Sequence, residues 1–186
     1  MILGIDPGSR WWGWALVEGG RASSIAPVTT APLFSAEVGV IDAAEVAPAL
    51  LLARFRGLAA QAGTVAIERP GGLPAGMVRV RPASAVTASA ELAACAWTAG
   101  TLAGLLTGDG ATVLSPPAGA VREHFFGVAN AGDDAVAALV ALRLPRFVVP
   151  PGDGAAYGKR GGLLAARRCH ALDAATVALW AREARP

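Results

Sequence analysis

Residues 1 to 18 read Met1-Ile-Leu-Gly-Ile-Asp6-Pro-Gly-Ser-Arg-Trp11-Trp-Gly-Trp-Ala-Leu-Val17-Glu18. Ile2 to Ile5 is an apolar, β-prone run, and Asp6-Pro7-Gly8-Ser9 follows it with turn chemistry. Trp11 to Val17 then forms a second strand, in which Gly13 permits close backbone approach. Glu18-Gly19-Gly20 closes the pair as a hairpin. The stretch therefore opens a sheet with an antiparallel hairpin and leaves Asp6 where the first strand ends. A carboxylate at the end of a buried strand is costly unless something neutralises it.

Two other acids share that oddity. Glu68 closes the apolar run Thr64-Val-Ala-Ile67. Asp173 lies inside Cys169-His-Ala-Leu-Asp-Ala-Ala-Thr-Val-Ala-Leu-Trp180, three residues after His170. Three such carboxylates gathered together would repel one another, and a shared divalent cation converts that repulsion into a binding site. Each has an ordinary alternative. Asp-Pro-Gly is a common turn, Glu68 can pair with Arg69 or a more distant arginine, and Asp173 could cap Ala174 to Trp180 if the helix began later; a histidine near a helix start, like His170, is often a cap or a packing residue. His170 and Asp173, at i and i+3, share one helix face.

Further along the chain, a third strand is expected between Arg21 and Val40, its limits blurred by Pro27 and Pro32. Val46, Leu50, Ala53 and Leu58 give helical periodicity over 43–61, stopped by Gly63. Thr64 to Glu68 is a short buried strand, and 69–82 is a Gly/Pro-rich loop. An Ala-rich helix follows over 83–106, then a strand at Ala111 to Leu114. Pro116-Pro117 opens a helix through Phe126. Asp133 or Asp134 is placed to cap the next helix, 134–143. A second Gly/Pro-rich loop covers 145–162, and the last helix spans 168–184. This order predicts an α/β fold, a mixed central sheet with an antiparallel hairpin plus parallel strands, flanked by helices. With 186 residues, no repeat and no evident linker, one domain over 1–186 is expected.

Composition narrows the function classes. The chain is 54% hydrophobic and 16% charged, which excludes a disordered protein. No apolar run reaches the roughly 18 residues of a membrane span. Leu92 to Leu106 comes nearest, but it is short and contains Thr and Gly. The N-terminus lacks a basic segment, so a signal peptide is not expected. Cys95 and Cys169 are isolated, lack metal-ligand spacing, and suit free thiols in a reducing cytoplasm. Net charge is only +2, but Lys159, Arg160, Arg167 and Arg168 cluster before His170, and Arg79 and Arg81 follow Glu68. Such clusters suit phosphates, or simply a solvated face.

In combination, Ile2-Leu-Gly-Ile-Asp-Pro-Gly-Ser-Arg-Trp-Trp-Gly-Trp-Ala-Leu-Val-Glu18, Val65-Ala-Ile-Glu-Arg-Pro70 and His170-Ala-Leu-Asp-Ala-Ala-Thr-Val-Ala-Leu179 resemble the RuvC-type Holliday junction resolvases of the ribonuclease H-like superfamily. Ser115 to Leu142, with Pro117, Val121-Arg122, Gly127 and Ala131, is similar to the family's segment before its last helix, so the resemblance spans most of the chain. It implies a ribonuclease H-like fold and a magnesium-dependent endonuclease that cuts four-way DNA junctions in recombination and repair, leaving 5′-phosphate and 3′-hydroxyl ends. It implies that Asp6, Glu68 and Asp173 hold two Mg2+ ions. His170 would ligate the second ion or position water. Arg122 would lie near the scissile phosphate, and Mn2+ is an acceptable substitute for Mg2+. Arg79, Arg81, Lys159, Arg160, Arg167 and Arg168 are the further candidate DNA contacts. The implied partners are branched DNA and a second copy of the chain, since a near two-fold junction needs two matched cuts. A branch-migration helicase is admitted as another, and no membrane is expected. The helix over 83–106 is a candidate dimer surface, or ordinary core.

The chain also departs from the family pattern. No aromatic follows Glu68 before Trp97, where the family carries one that disturbs base stacking, and Met77 is the available apolar wedge. Asp133-Asp134 is acidic where members carry lysine, and the 146–168 loop is longer. These departures bear on junction specificity rather than on the acidic cluster. Other readings are a ribonuclease H-like nuclease with another branched or RNA-containing substrate, an ATP-binding protein of the actin type, for which the second glycine loop is missing, and a catalytically inactive binder.

Overall fold

The computed structural model describes residues 1–8, 11–18, 35–43, 45–69, 82–144 and 163–184, with the side chains of 35, 82–92 and 163–168 left aside. Strand β1 (Ile2–Pro7) and strand β2 (Trp11–Glu18) form the expected antiparallel hairpin, with Asp6 opposite Gly13. Strand β3 (Ser35–Asp42) adds to β2, antiparallel along its full length. Strand β4 (Thr64–Ile67) and strand β5 (Thr112–Leu114) lie on the other side of β1, both parallel. The sheet order is β3-β2-β1-β4-β5. It is the mixed sheet that the order of elements predicts, and β1 and β4 are neighbours at its centre.

Period-two alternation sends side chains to two faces. Leu3, Ile5, Trp12, Trp14, Leu16, Val65 and Ile67 point to one face, where helices α1 (Pro48–Ala59) and α2 (Pro82–Gly108) cover them. Phe55 of α1 is fully buried there, its ring 5.4 Å from that of Trp12. Leu102 and Leu106 supply the matching face of α2. The opposite face, with Ile2, Ala15, Val17 and Ala66, is covered by α5 (Leu163–Glu183), backed by α3 (Ala118–Phe126) and α4 (Asp133–Arg143).

Helix α5 lies very close to the sheet because both partners are small where they meet. Ala171, Ala174, Ala175 and Ala178 are fully buried. A Cβ on Gly4 would fall 2.1 Å from the carbonyl oxygen of Ala174, and one on Gly13 would fall 1.9 Å from that of His170. These two glycines therefore set the height of α5 above β1 and β2.

Several element limits differ from the sequence reading: β3 runs two residues past Val40 to Asp42, and α2 extends slightly beyond 83–106 at both ends. Helix α1 begins at Pro48, not 43, because proline is tolerated in the first helical turn but not inside. Helix α5 begins at Leu163, extended backward by the strong helix formers Leu163-Leu164-Ala165-Ala166. Neither Asp133 nor Asp134 caps α4: the N-cap is Gly132, and both acids lie in the first turn, where they complement the helix dipole. Among the described residues, no helix is long and apolar enough to cross a membrane.

Candidate functional site

Parallel pairing of β1 with β4 brings the first two acids together. Ile5 is in register with Ile67, and the amide of Glu68 donates to the carbonyl oxygen of Ile5 at 2.8 Å. Asp6 and Glu68 are thus the next residues on adjacent chains, and alternation turns both to the face that α5 covers. Helix α5 crosses this face with His170 over Gly13, so the helical spacing of three presents His170 and Asp173 to the strand ends. Residues some hundred positions apart meet at one end of the sheet.

His170 Nδ1 lies 2.5 Å from Asp6 Oδ2. The far side of its ring packs on the turn, where a Cβ on Gly8 would come within 2.6 Å of Cε1 and 2.9 Å of Nε2. Asp173 Oδ1 accepts a hydrogen bond from Arg122 Nη2 at 3.2 Å. The Glu68 carboxylate makes no hydrogen bond or ion pair among the described residues.

The electrostatics are those of crowded acids. Burial, followed by the charges of Asp6 and Asp173, pushes the Glu68 carboxyl well above its ordinary range, against the pull of Arg122. The Asp173 carboxyl is pushed up to about 7, by burial first and then by Asp6, again despite Arg122. Burial alone would lower the His170 pKa, but its hydrogen bond to Asp6 and the charges of Asp6 and Asp173 outweigh that, and it rises. Arg122 is likewise disfavoured by burial, yet its pKa is raised by Asp173, Asp133 and Glu68.

The donor set fits a divalent cation. Three carboxylates and one imidazole are the hard-oxygen, single-nitrogen mixture suited to Mg2+ or Mn2+. Glu68, whose carboxyl has no hydrogen-bond partner among the described residues, keeps both carboxyl oxygens open to a cation whose charge would offset the burial and the neighbouring acids that hold its proton. Among the described residues, however, no three His, Cys, Asp or Glu side chains are drawn together as a finished cage. His170 is turned onto Asp6, and Arg122 onto Asp173.

Of the expected site residues, Asp6, Glu68, His170, Asp173 and Arg122 converge. Arg79, Arg81, Lys159 and Arg160 lie outside the described residues, as does Met77, and Arg167 and Arg168 contribute only their place in the first turns of α5. From its sequence context, Asp133 is a candidate helix cap and a departure from the family pattern. It adjoins the site instead, 3.5 Å from Arg122 Nη2, with Cys169 Sγ 3.8 Å from its other oxygen. Its place in α4, directly after the Ala131-Gly132 turn, was the available signal.

No protein-family model matches the chain, and no curated protein matches it in sequence. Solved structures do. The structure of RuvC from Thermus thermophilus is similar, with a TM-score of 0.52 at 17% identity, covering 98% of this chain and 96% of that one. T. thermophilus RuvC in complex with Holliday junction substrate is also similar, with a TM-score of 0.57 at 20% identity, covering 96% and 90%. The shared architecture is the ribonuclease H-like α/β fold.

Proposed function

We propose that the chain is a metal-dependent endonuclease of the ribonuclease H-like fold that cuts branched DNA, with four-way junctions as its substrate. The observation that carries this reading is the meeting of Asp6, Glu68, His170 and Asp173 at one end of the sheet with their negative charge incompletely compensated. The similarity in fold to a RuvC described in complex with a Holliday junction supports the choice of substrate.

In this reading Asp6, Glu68 and Asp173, with His170, would hold two Mg2+ ions, which would supply water activation and charge neutralisation at the phosphate and the leaving 3′ oxygen. The chain's residues supply the rest. Asp6 holds the His170 ring by Nδ1 while Gly8 leaves room for its Nε2 side. Arg122, anchored on the Ala131 carbonyl, provides a half-buried guanidinium suited to a phosphate oxygen. Cutting yields a 5′-phosphate and a 3′-hydroxyl.

Paired cutting calls for a homodimer, and the outer face of α2 supports one. Trp97 is 79% exposed and Leu105 40%, and among the described residues nothing lies within 4 Å of a Cβ placed on Gly100 or Gly104. A large exposed indole beside open glycines is the kind of surface that a second copy covers.

The test is cleavage of a synthetic four-way junction, an RNA–DNA hybrid and a plain duplex in Mg2+. The reading predicts paired nicks in the junction alone, lost in Asp6→Asn while junction binding remains. Cleavage of the hybrid in preference would assign the same centre to an RNA-containing substrate. Wild-type rates in Asp6→Asn would falsify the metal assignment.

A further inference from the structure

Arg122 reaches the acids from α3 with its guanidinium shared among three acceptors. Nη1 donates to the carbonyl oxygen of Ala131 at 2.6 Å. Nη2 is divided between Asp173 Oδ1 at 3.2 Å and Asp133 Oδ1 at 3.5 Å. The two acids are not equivalent. Asp173 belongs to the inner group with Asp6 and Glu68, and its side chain is 23% exposed. Asp133 stands outside that group on α4, and its side chain is 39% exposed. Between them lies a cavity of about 260 Å³, lined by Arg122, Asp133, Cys169, His170 and Asp173.

Asp173 Oδ1, one of the carboxylate oxygens of the inner group, is thus already engaged by a fixed positive charge. An ion and a guanidinium cannot both sit at contact distance from Asp173 Oδ1 without strong repulsion. The guanidinium need not leave, however, because the Ala131 carbonyl and Asp133 can retain it after the bond to Asp173 is broken.

We propose that Arg122 is a resident counter-ion that a divalent ion must displace from Asp173, and that Asp133 and the Ala131 carbonyl then hold it beside the centre, free to face a phosphate. This rests on reading the acidic cluster as a metal centre. The arrangement makes ion binding weaker than the ligands alone would give. It releases the guanidinium for substrate only once the ion is in place, so the two binding events are ordered.

The experiment is a titration of the full chain with Mn2+ alone, without nucleic acid, with bound ion read by water-proton relaxation. Arg122→Gln should bind Mn2+ about tenfold more tightly than wild type, the equivalent of losing one charge-assisted hydrogen bond that competes with the ion. Arg122→Lys keeps the charge but cannot fork across Asp173, Asp133 and the Ala131 carbonyl together. It should therefore also bind more tightly, by about threefold or more. If Arg122→Gln fails to fold, Arg122→Lys decides. Equal affinity in wild type and both variants overturns the proposal. So does wild-type affinity in Arg122→Lys beside tighter binding in Arg122→Gln, which would show a distant charge effect instead of contact. An Asp6→Asn control separates the two levels. If it binds Mn2+ as tightly as wild type, the metal-centre reading fails and this inference with it; if it alone loses Mn2+ while the Arg122 variants are unchanged, only this inference fails.

Discussion

Asp173→Asn should make the metal-free protein more stable, by a gain that grows as pH rises above about 4 and is complete above about pH 7. Burial and the charge of Asp6 push the Asp173 carboxyl from 3.8 up to about 7, even with Arg122 hydrogen-bonded to it. A carboxyl with a raised folded pKa holds its proton more tightly in the folded chain than in the unfolded one. Its favourable contribution is complete below about 3.8 and is lost as pH rises through about 7. At pH 8 the buried charge costs about three pH units at about 1.36 kcal/mol each, or about 4 kcal/mol. The side chain is only 23% exposed, so solvent relieves little of this. Part of the strain is shared with Glu68, whose carboxyl is also raised, and this brings the expected gain to roughly 2–4 kcal/mol. Asparagine retains an oxygen for Arg122, so that hydrogen bond survives. For a chain of this length the gain corresponds to a rise in Tm of roughly 5–10 °C.

The assay is a thermal melt, followed by circular dichroism, of chelator-stripped protein between about pH 4.5 and about pH 8.5. The gain should be full at the alkaline end and shrink towards nothing at the acid end. Added Mn2+ should raise the Tm of wild type more than that of the variant. A variant no more stable than wild type at pH 8, or a gain that ignores pH, refutes the account of the cluster as crowded, uncompensated acids.

Two predictions concern the scaffold and the assembly. Gly13→Ala should destabilise the protein by about 3 kcal/mol or more, because its Cβ would fall 1.9 Å from the His170 carbonyl oxygen and α5 must lift; a melt within about 1 kcal/mol of wild type would show that α5 yields freely. If the outer face of α2 carries the proposed dimer contact, Trp97→Asp should leave the fold intact, since the side chain is 79% exposed, and sediment as one chain where the unaltered protein sediments as two. An equal mass for the two proteins would rule out that face as the contact.

Much of the sheet was legible because its signals are local. The hairpin follows from two β-prone runs around Asp-Pro-Gly-Ser, and β4 and β5 follow from short apolar runs with nothing helical in them. The three candidate acids stood out for a related reason, since a carboxylate that ends or interrupts an apolar run has no inexpensive structural explanation, and His170 stood out by its spacing from Asp173. Their common location depends on β4 pairing with β1 and on α5 crossing over Gly4 and Gly13, long-range facts that the fold supplies. Gly13 was readable as a close approach, but not as the seat of His170. Pro27 and Pro32 obscured the third strand, and with it Asp42, a buried acid that pairs in register with Trp11 at the same end of the sheet and on the same face as Asp6. Asp133 escaped because an acid in a first helical turn is ordinary there. Only the spatial placement of Arg122 gives it a second role.

If Asp6, Glu68, His170 and Asp173 form one divalent-ion centre, as proposed, Mn2+ should occupy it. Anomalous diffraction from crystals of the full chain soaked in Mn2+ tests it most directly. The account predicts anomalous peaks within about 2.3 Å of Asp6, Glu68 and Asp173 oxygens and a His170 nitrogen, with the Arg122 guanidinium turned from Asp173 towards Asp133. Peaks only at other sites, or no peak among these four side chains at saturating Mn2+, would contradict it.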